Sequence, residues 1–143
     1  VAGYHHIISK GGHYDSGPWE LRTQEDDATY PWQMQFNVWE DGGSKRSATG
    51  GGLLYKKWSH IVCTYDGETS RLYENNSEQA TNTTITGAIV IRNNQDIYIG
   101  TESRGGANNT SFRGDIDEVR LYNRALSTTE ITKNYKHGLS KHS

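Results

Sequence analysis

The chain has one cysteine, two prolines, one methionine and two phenylalanines. No apolar run approaches the ~20 residues that span a bilayer, so membrane insertion is not expected. A lone Cys63 excludes an internal disulfide. His60 lies three residues before it, and on a strand that spacing points the two side chains to opposite faces, so a Cys-His pair is not expected either. Cys63 reads as a small buried hydrophobe. Charge of one sign is also lacking: 15 basic residues face 17 acidic ones, for a net charge of -2. That leaves no electrostatic footprint for nucleic acid or an anionic membrane. Apolar residues make up only 32% and mean hydropathy is -0.86, low for a helical bundle. The chain opens at Val1 with no signal-peptide pattern and reads as a mature or excised piece of something larger.

What is present points to strands. The 143 residues suit one domain, with 16 glycines, nine tyrosines and four tryptophans. Residues 4–9 form a predicted strand, followed by a Gly-rich loop over 10–18. Residues 19–24 alternate as Trp-Glu-Leu-Arg-Thr-Gln, a half-buried strand. Residues 25–31 are an acidic loop. Residues 32–39 alternate strictly, with Trp32, Met34, Phe36 and Val38 on one face and Gln33, Gln35, Asn37 and Trp39 on the other. Residues 49–52 read as a flexible connection. Asp66-Gly67 marks a hairpin between two strands. Residues 89–91 and 97–100 are further short strands.

The segment 112–123, Phe-Arg-Gly-Asp-Ile-Asp-Glu-Val-Arg-Leu-Tyr-Asn, reads as the last long strand. It does not keep a clean period of two. A bulge near Asp117-Glu118 would bring Ile116, Val119 and Leu121 into the core and splay the carboxylates to one edge. Ser127-Thr-Thr-Glu130 fits a capping box opening a helix, with Tyr135 four residues beyond Ile131 and Gly138 as the residue that ends it. About eight short strands and one short C-terminal helix predict an all-β fold, an antiparallel two-sheet β-sandwich.

Four blocks in order carry a family resemblance: Lys57-Trp-Ser-His-Ile-Val-Cys-Thr-Tyr-Asp-Gly67, Arg71-Leu-Tyr-Glu-Asn-Asn76, Ile97-Tyr-Ile-Gly100, and Gly114 through Ser127. Together with Ile7-Ile-Ser-Lys-Gly-Gly12 they resemble a laminin-G-like domain of the concanavalin A-like lectin/glucanase superfamily, distantly pentraxin-like, with a jelly-roll sandwich. The resemblance implies a single domain over 1–143 that lacks its N-terminal strands. Those strands would precede Val1 in a precursor or come from a strand-donating partner chain, since open sheet edges are a liability.

The resemblance also implies a calcium site, because many relatives bind one calcium at a sheet edge. Asp15 and Glu102 are then the candidate carboxylates, with Asn108 or Asn109 as carbonyl donors and Asp117 as the competing ligand. The alternatives are a turn-forming Asp15, a solvated Glu102, and a purely structural Asp117 and Glu118. For a sugar, exposed aromatics near polar loops are the usual platform. Trp39, on the polar face of its strand, is the first candidate, with Tyr14, Trp19, Tyr30 and Trp32 beside loops. Each has a packing role as its alternative. Trp58 is assigned to structure, and the His5-His6 pair makes a poor chelate because neighbours on a strand face opposite ways. The glucanase pattern Glu-x-Asp-x-x-Glu is absent, and no Ser/His/Asp set is evident.

The expected function is non-catalytic recognition of a glycan or an extracellular protein, possible calcium assistance included. A structural subunit using strand exchange is the second expectation, and a lyase or hydrolase of the same fold a weaker third. Extracellular or cell-surface placement is expected. Sequons at Asn75, Asn82, Asn108 and Asn109 would then be glycan acceptors in a eukaryotic or archaeal host.

Overall fold

The computed structural model describes residues 3–11, 17–24, 32–40, 44–54, 56–84, 88–90, 94–102 and 110–142. Its elements are β1 (Tyr4–Lys10), β2 (Trp19–Gln24), β3 (Gln33–Trp39), β4 (Lys45–Gly50), β5 (Ile61–Tyr65), β6 (Ser70–Glu74), β7 (Ser77–Asn82), β8 (Ile97–Ile99) and α1 (Thr128–His142). Two antiparallel sheets result. One has the order β4-β3-β2-β1-β8 and the other β5-β6-β7. This is the predicted β-sandwich with a C-terminal helix.

The period-two pattern of β2 and β3 explains the larger sheet. Leu21 pairs with Phe36 and Thr23 with Met34, so these side chains share one face. That face meets the second sheet: Leu21, Met34, Phe36, Val38 and Ala48 pack with Leu72, and Ile61, Cys63, Tyr65 and Ala80 close the cluster. Burial pushes the Cys63 thiol pKa up, which keeps it protonated. At Gly50 the layers come close. A Cβ there would lie 2.5 Å from the Gln79 carbonyl oxygen, so only glycine fits.

The hairpins follow their turn residues. Asp66 Oδ1 accepts the Glu68 and Thr69 amides, and Gly67 has φ +100° between β5 and β6. Asn75 and Asn76 both adopt positive φ between β6 and β7, a conformation asparagine tolerates. β1 carries a bulge. His6 pairs with Arg22 but Ile8 with Leu21, which leaves Ile7 as an extra residue. His6 therefore sits outside while Ile8 turns inward.

Several expectations are corrected. β4 and β7 are strands that the pattern did not reveal. Each has a single apolar residue, Ala48 or Ala80, and joins its sheet through backbone pairing with β3 or β6. The expected strand 89–91 reduces to a bridge between Ile89 and Glu40 and a Val90 amide bond to Trp39, with residue 91 outside the described residues. The larger correction concerns 112–123. Only its start is tied to the sheet, through a Ser111 bridge to His6 and the Phe112 amide on the Gly100 carbonyl. Residues 113–122 belong to no ladder. Ile116 is half-buried, but Val119, Leu121 and Tyr122 are 42%, 56% and 48% exposed instead of entering the core. The irregularity falls where the lost period placed it: Glu118 has φ +54° and its amide is taken by Asp117 Oδ1.

The capping box forms as expected. Glu130 accepts the Ser127 amide at 2.9 Å, and the Glu130 amide reaches Ser127 Oγ at 3.3 Å. Arg124 grips the same carboxylate in a two-pronged contact. Ile131 is buried, and Tyr135 lies against the His60 ring. Gly138 does not end the helix, which continues to His142, where the imidazole stacks on the exposed Trp58.

The Arg124 guanidinium first, and then the Ser127 amide and hydroxyl, hold Glu130 down at about 2, against an ordinary 4.5. A depressed carboxylate stabilises the fold above its unfolded pKa and loses that contribution as pH falls through the folded one. The first turn of α1 should therefore loosen as pH drops from 4.5 toward 2. Amide shifts of Ser127 through Ile131, followed by NMR, should move together over that range. Glu130→Gln should remove the movement.

Candidate functional site

The outer face of the larger sheet, opposite the core, carries the densest polar arrangement among the described residues. Strand register assembles it. Glu20 pairs with Asn37, Arg22 with Gln35 and Gln24 with Gln33, while His6 stands opposite Arg22 and Tyr4 opposite Gln24. β4 adds Lys45, Ser47 and Thr49 beside Trp39, Asn37 and Gln35.

Glu20 is the centre. Its Oε1 accepts Asn37 Nδ2 at 2.7 Å and lies 3.1 Å from an Arg22 guanidinium nitrogen. Its Oε2 lies 3.1 Å from His6 Nε2. Glu20, Arg22, His6 and Asn37 are all buried. Arg22 also donates from Nε and a terminal nitrogen to Gln35 Oε1, and Gln35 in turn donates to Gln24. The Tyr4 ring lies over the guanidinium, 3.8 Å from its carbon, a cation–π contact. Burial lowers the Arg22 pKa, and the charges of Glu20, Tyr4 and Glu102 oppose that shift. Burial also lowers Lys45, helped by Arg22 and opposed by Glu20. The face thus has a closed end at His6, Glu20, Asn37 and Trp39. Its open end is formed by the exposed Tyr4 with the half-buried Gln24, Gln33 and Gln35.

Of the expected sugar platform, Trp39, Trp19 and Trp32 are described, and they do not share one open surface. Trp39 is on the outer face, as its parity required, but it is 4% exposed and offers no open ring. Trp19 pairs with Val38 and so points to the opposite face, where it packs against the core. Trp32 is half-buried beside the His5 ring. Tyr14 and Tyr30 lie outside the described residues. For calcium, Asp15, Asn108 and Asn109 also lie outside them. Glu102 is not the solvated carboxylate weighed as its alternative: it is 2% exposed and within electrostatic reach of Arg22. Asp117 holds the Glu118 amide and faces His142 at 3.5 Å. Among the described residues there is no group of three His, Cys, Asp or Glu side chains that could hold a metal ion. Of the sequons, Asn82 spends its amide nitrogen on the Ser47 carbonyl.

Tyr4, His6, Glu20, Arg22, Gln35 and Asn37 were not singled out as site residues by the sequence. The available signal was the shared parity of Gln33, Gln35 and Asn37 and of Glu20, Arg22 and Gln24. What the sequence lacked was the register that joins the two rows.

The chain belongs to the laminin-G-like family Laminin_G_3 of the concanavalin A-like lectin/glucanases superfamily, whose model matches residues 1–132. Among solved structures it is similar to an S-layer domain-containing protein from Clostridium thermocellum, with 24% identity and a TM-score of 0.50. That similarity covers 94% of this chain and 64% of the other, and it bears on the fold alone. No curated protein matches the chain. No helix among the described residues is long and apolar enough to cross a membrane.

Removing one member of a buried charge pair leaves the other charge uncompensated, at a cost of about 3–5 kcal/mol. Glu20→Ala should destabilise the fold by roughly that amount, read from urea denaturation. Glu130→Ala, at an exposed pair, should change it far less.

Proposed function

We propose that this domain is a non-catalytic recognition module at the cell surface that binds a glycan on the outer face of its larger sheet. One observation carries the reading: an exposed Tyr4 ring is fixed over Arg22 at the rim of a network of Gln24, Gln33, Gln35, Asn37 and Glu20. A pyranose needs an apolar surface for its C–H face and placed polar groups for its hydroxyls. The open end supplies both. Glu20 is held by His6, Asn37 and Arg22, which suits a positioning role better than proton transfer. The recognition proposed runs through ring stacking and side-chain hydrogen bonds.

A glycan array probed with the labelled domain should show a selective set of binders. Tyr4→Ala should weaken them about tenfold, close to 1.4 kcal/mol, with little change in folding. An array with no binder, or binding unaffected by Tyr4→Ala and Gln35→Ala, would sink this assignment.

A second reading, a subunit that accepts a strand from a neighbouring chain, is favoured by a different observation. Ile99 shares the inward face of Ile8 by register, yet Ile97 and Ile99 are 44% and 54% exposed. β5 is an edge strand, and Val119 and Leu121 are exposed on an unladdered segment. An extended segment with alternating apolar residues would cover these side chains and pair an open edge. Sedimentation should then show concentration-dependent association, lost in Leu121→Lys, with β5 amides protected from exchange only in the assembled form. A monomer at all concentrations, with β5 amides equally protected, would refute it.

A further inference from the structure

The segment 112–116 is tied at both ends to one residue, Gly100, at the end of β8. Phe112 donates its amide to the Gly100 carbonyl at 2.9 Å. The half-buried Ile116 places its Cδ1 3.8 Å from the point where a Cβ on Gly100 would stand. Gly100 is itself held to β1, where its amide donates to the Ile7 carbonyl at 2.8 Å. Between the two ties stand Arg113, Gly114 and Asp115. All three are exposed, and the chain bends at Gly114. A Cβ on Gly114 would lie 2.9 Å from the Phe112 ring, so the bend packs on that ring and glycine suits it.

The charges of this tip differ from those that follow it. Asp117 faces His142, Glu118 pairs with Arg120 and Lys141, and Arg124 pairs with Glu130. Arg113 and Asp115 make no hydrogen bond or ion pair among the described residues. Their Cα atoms are no more than about 7 Å apart along the chain, yet the two do not pair with each other. An unspent guanidinium and an unspent carboxylate are thus presented together on a fixed base.

The chemistry of a partner follows from the two charges. A guanidinium offers a planar fork of donors that carboxylates take two at a time. A surface that takes Arg113 is therefore acidic. The same surface would repel Asp115 unless a divalent cation stood between them, and a carboxylate is a hard oxygen ligand for such a cation. Glycine in the middle leaves the approach clear. We propose that Arg113-Gly114-Asp115 is a receptor-binding tripeptide, engaged by a cell-surface protein that offers carboxylates to Arg113 and a bound divalent cation to Asp115. This activity is separate from glycan recognition on the outer face, and neither requires the other.

The test is surface plasmon resonance of the whole chain over a purified Arg-Gly-Asp-binding integrin, in manganese chloride and again in EDTA. Saturable binding is expected in manganese, with loss in EDTA and displacement by a cyclic Arg-Gly-Asp peptide. Asp115→Glu keeps the charge but moves the carboxylate outward by one methylene, and should weaken binding about tenfold or more. Arg113→Lys keeps the charge but loses the fork, and should do the same. Glu68→Gln, at another exposed acid, should leave binding unchanged. Peptide displacement from the wild-type chain decides should either tripeptide variant fail to fold. No binding in manganese overturns the proposal. So does binding that persists in EDTA, that the peptide fails to displace, or that Asp115→Glu leaves unmoved. The glycan array gives its answer independently of all these outcomes.

Discussion

A buried carboxylate must be met by donors, and Glu20 is the point on which the larger sheet turns. Among the described residues its partners come from β1, β2 and β3, so this set is assembled only when those strands are in one register. A slip of β3 by one residue would carry Asn37 to the core side, and a slip of β1 would do the same to His6, leaving the carboxylate with Arg22 of its own strand. The core supplies most of the favourable burial. The polar network on the other face makes the pairing unique, because apolar side chains tolerate a slip far better than a fixed set of hydrogen bonds does.

The two faces of the same strands therefore do different things. Inside, the contact between sheets is concentrated where β3 and β4 meet β6 and β7. Toward β8 that contact runs out, and isoleucines at the inner parity stand in solvent. Outside, the network is closed at one end and open at the other. The segment after Phe112 belongs to neither layer. Glu118 pairs with Arg120 within the segment and with Lys141 of α1, and Asp117 faces His142, contacts that tie it to α1 more than to a sheet.

Much of the fold was legible in the sequence because local chemistry determines it. Asp66-Gly67, Asn75-Asn76 and Ser127-x-x-Glu130 each formed the turn or cap their side chains favour. β3 was legible because its alternation is strict. β4 and β7 were not, since strands with one alanine each show no period, and their place depends on backbone bonds to partners distant in sequence. The candidate site was half legible. Parity assigned Gln35, Asn37 and Trp39 to one face, but parity alone does not say which residue of the next strand stands opposite. Nor does it say that an outward face will be covered, which is why Trp39 read as an open ring and is buried. The acidic segment misled for a related reason. Its aliphatic residues fit a strand, yet a strand also needs a neighbour to pair with, and none is found among the described residues.

The extra residue in β1 has an evolutionary reach. With Ile7 in place, His6 serves the outer network and Ile8 the core, although they are two positions apart and an unbroken strand would send both the same way. Without Ile7 the two would be neighbours, which a regular strand already sends to opposite faces, so what the extra residue adds is its own side chain packed against the core. A one-residue deletion at the bulge therefore keeps the parity of both flanks, a length change that this seven-residue strand absorbs without turning a side chain to the wrong face.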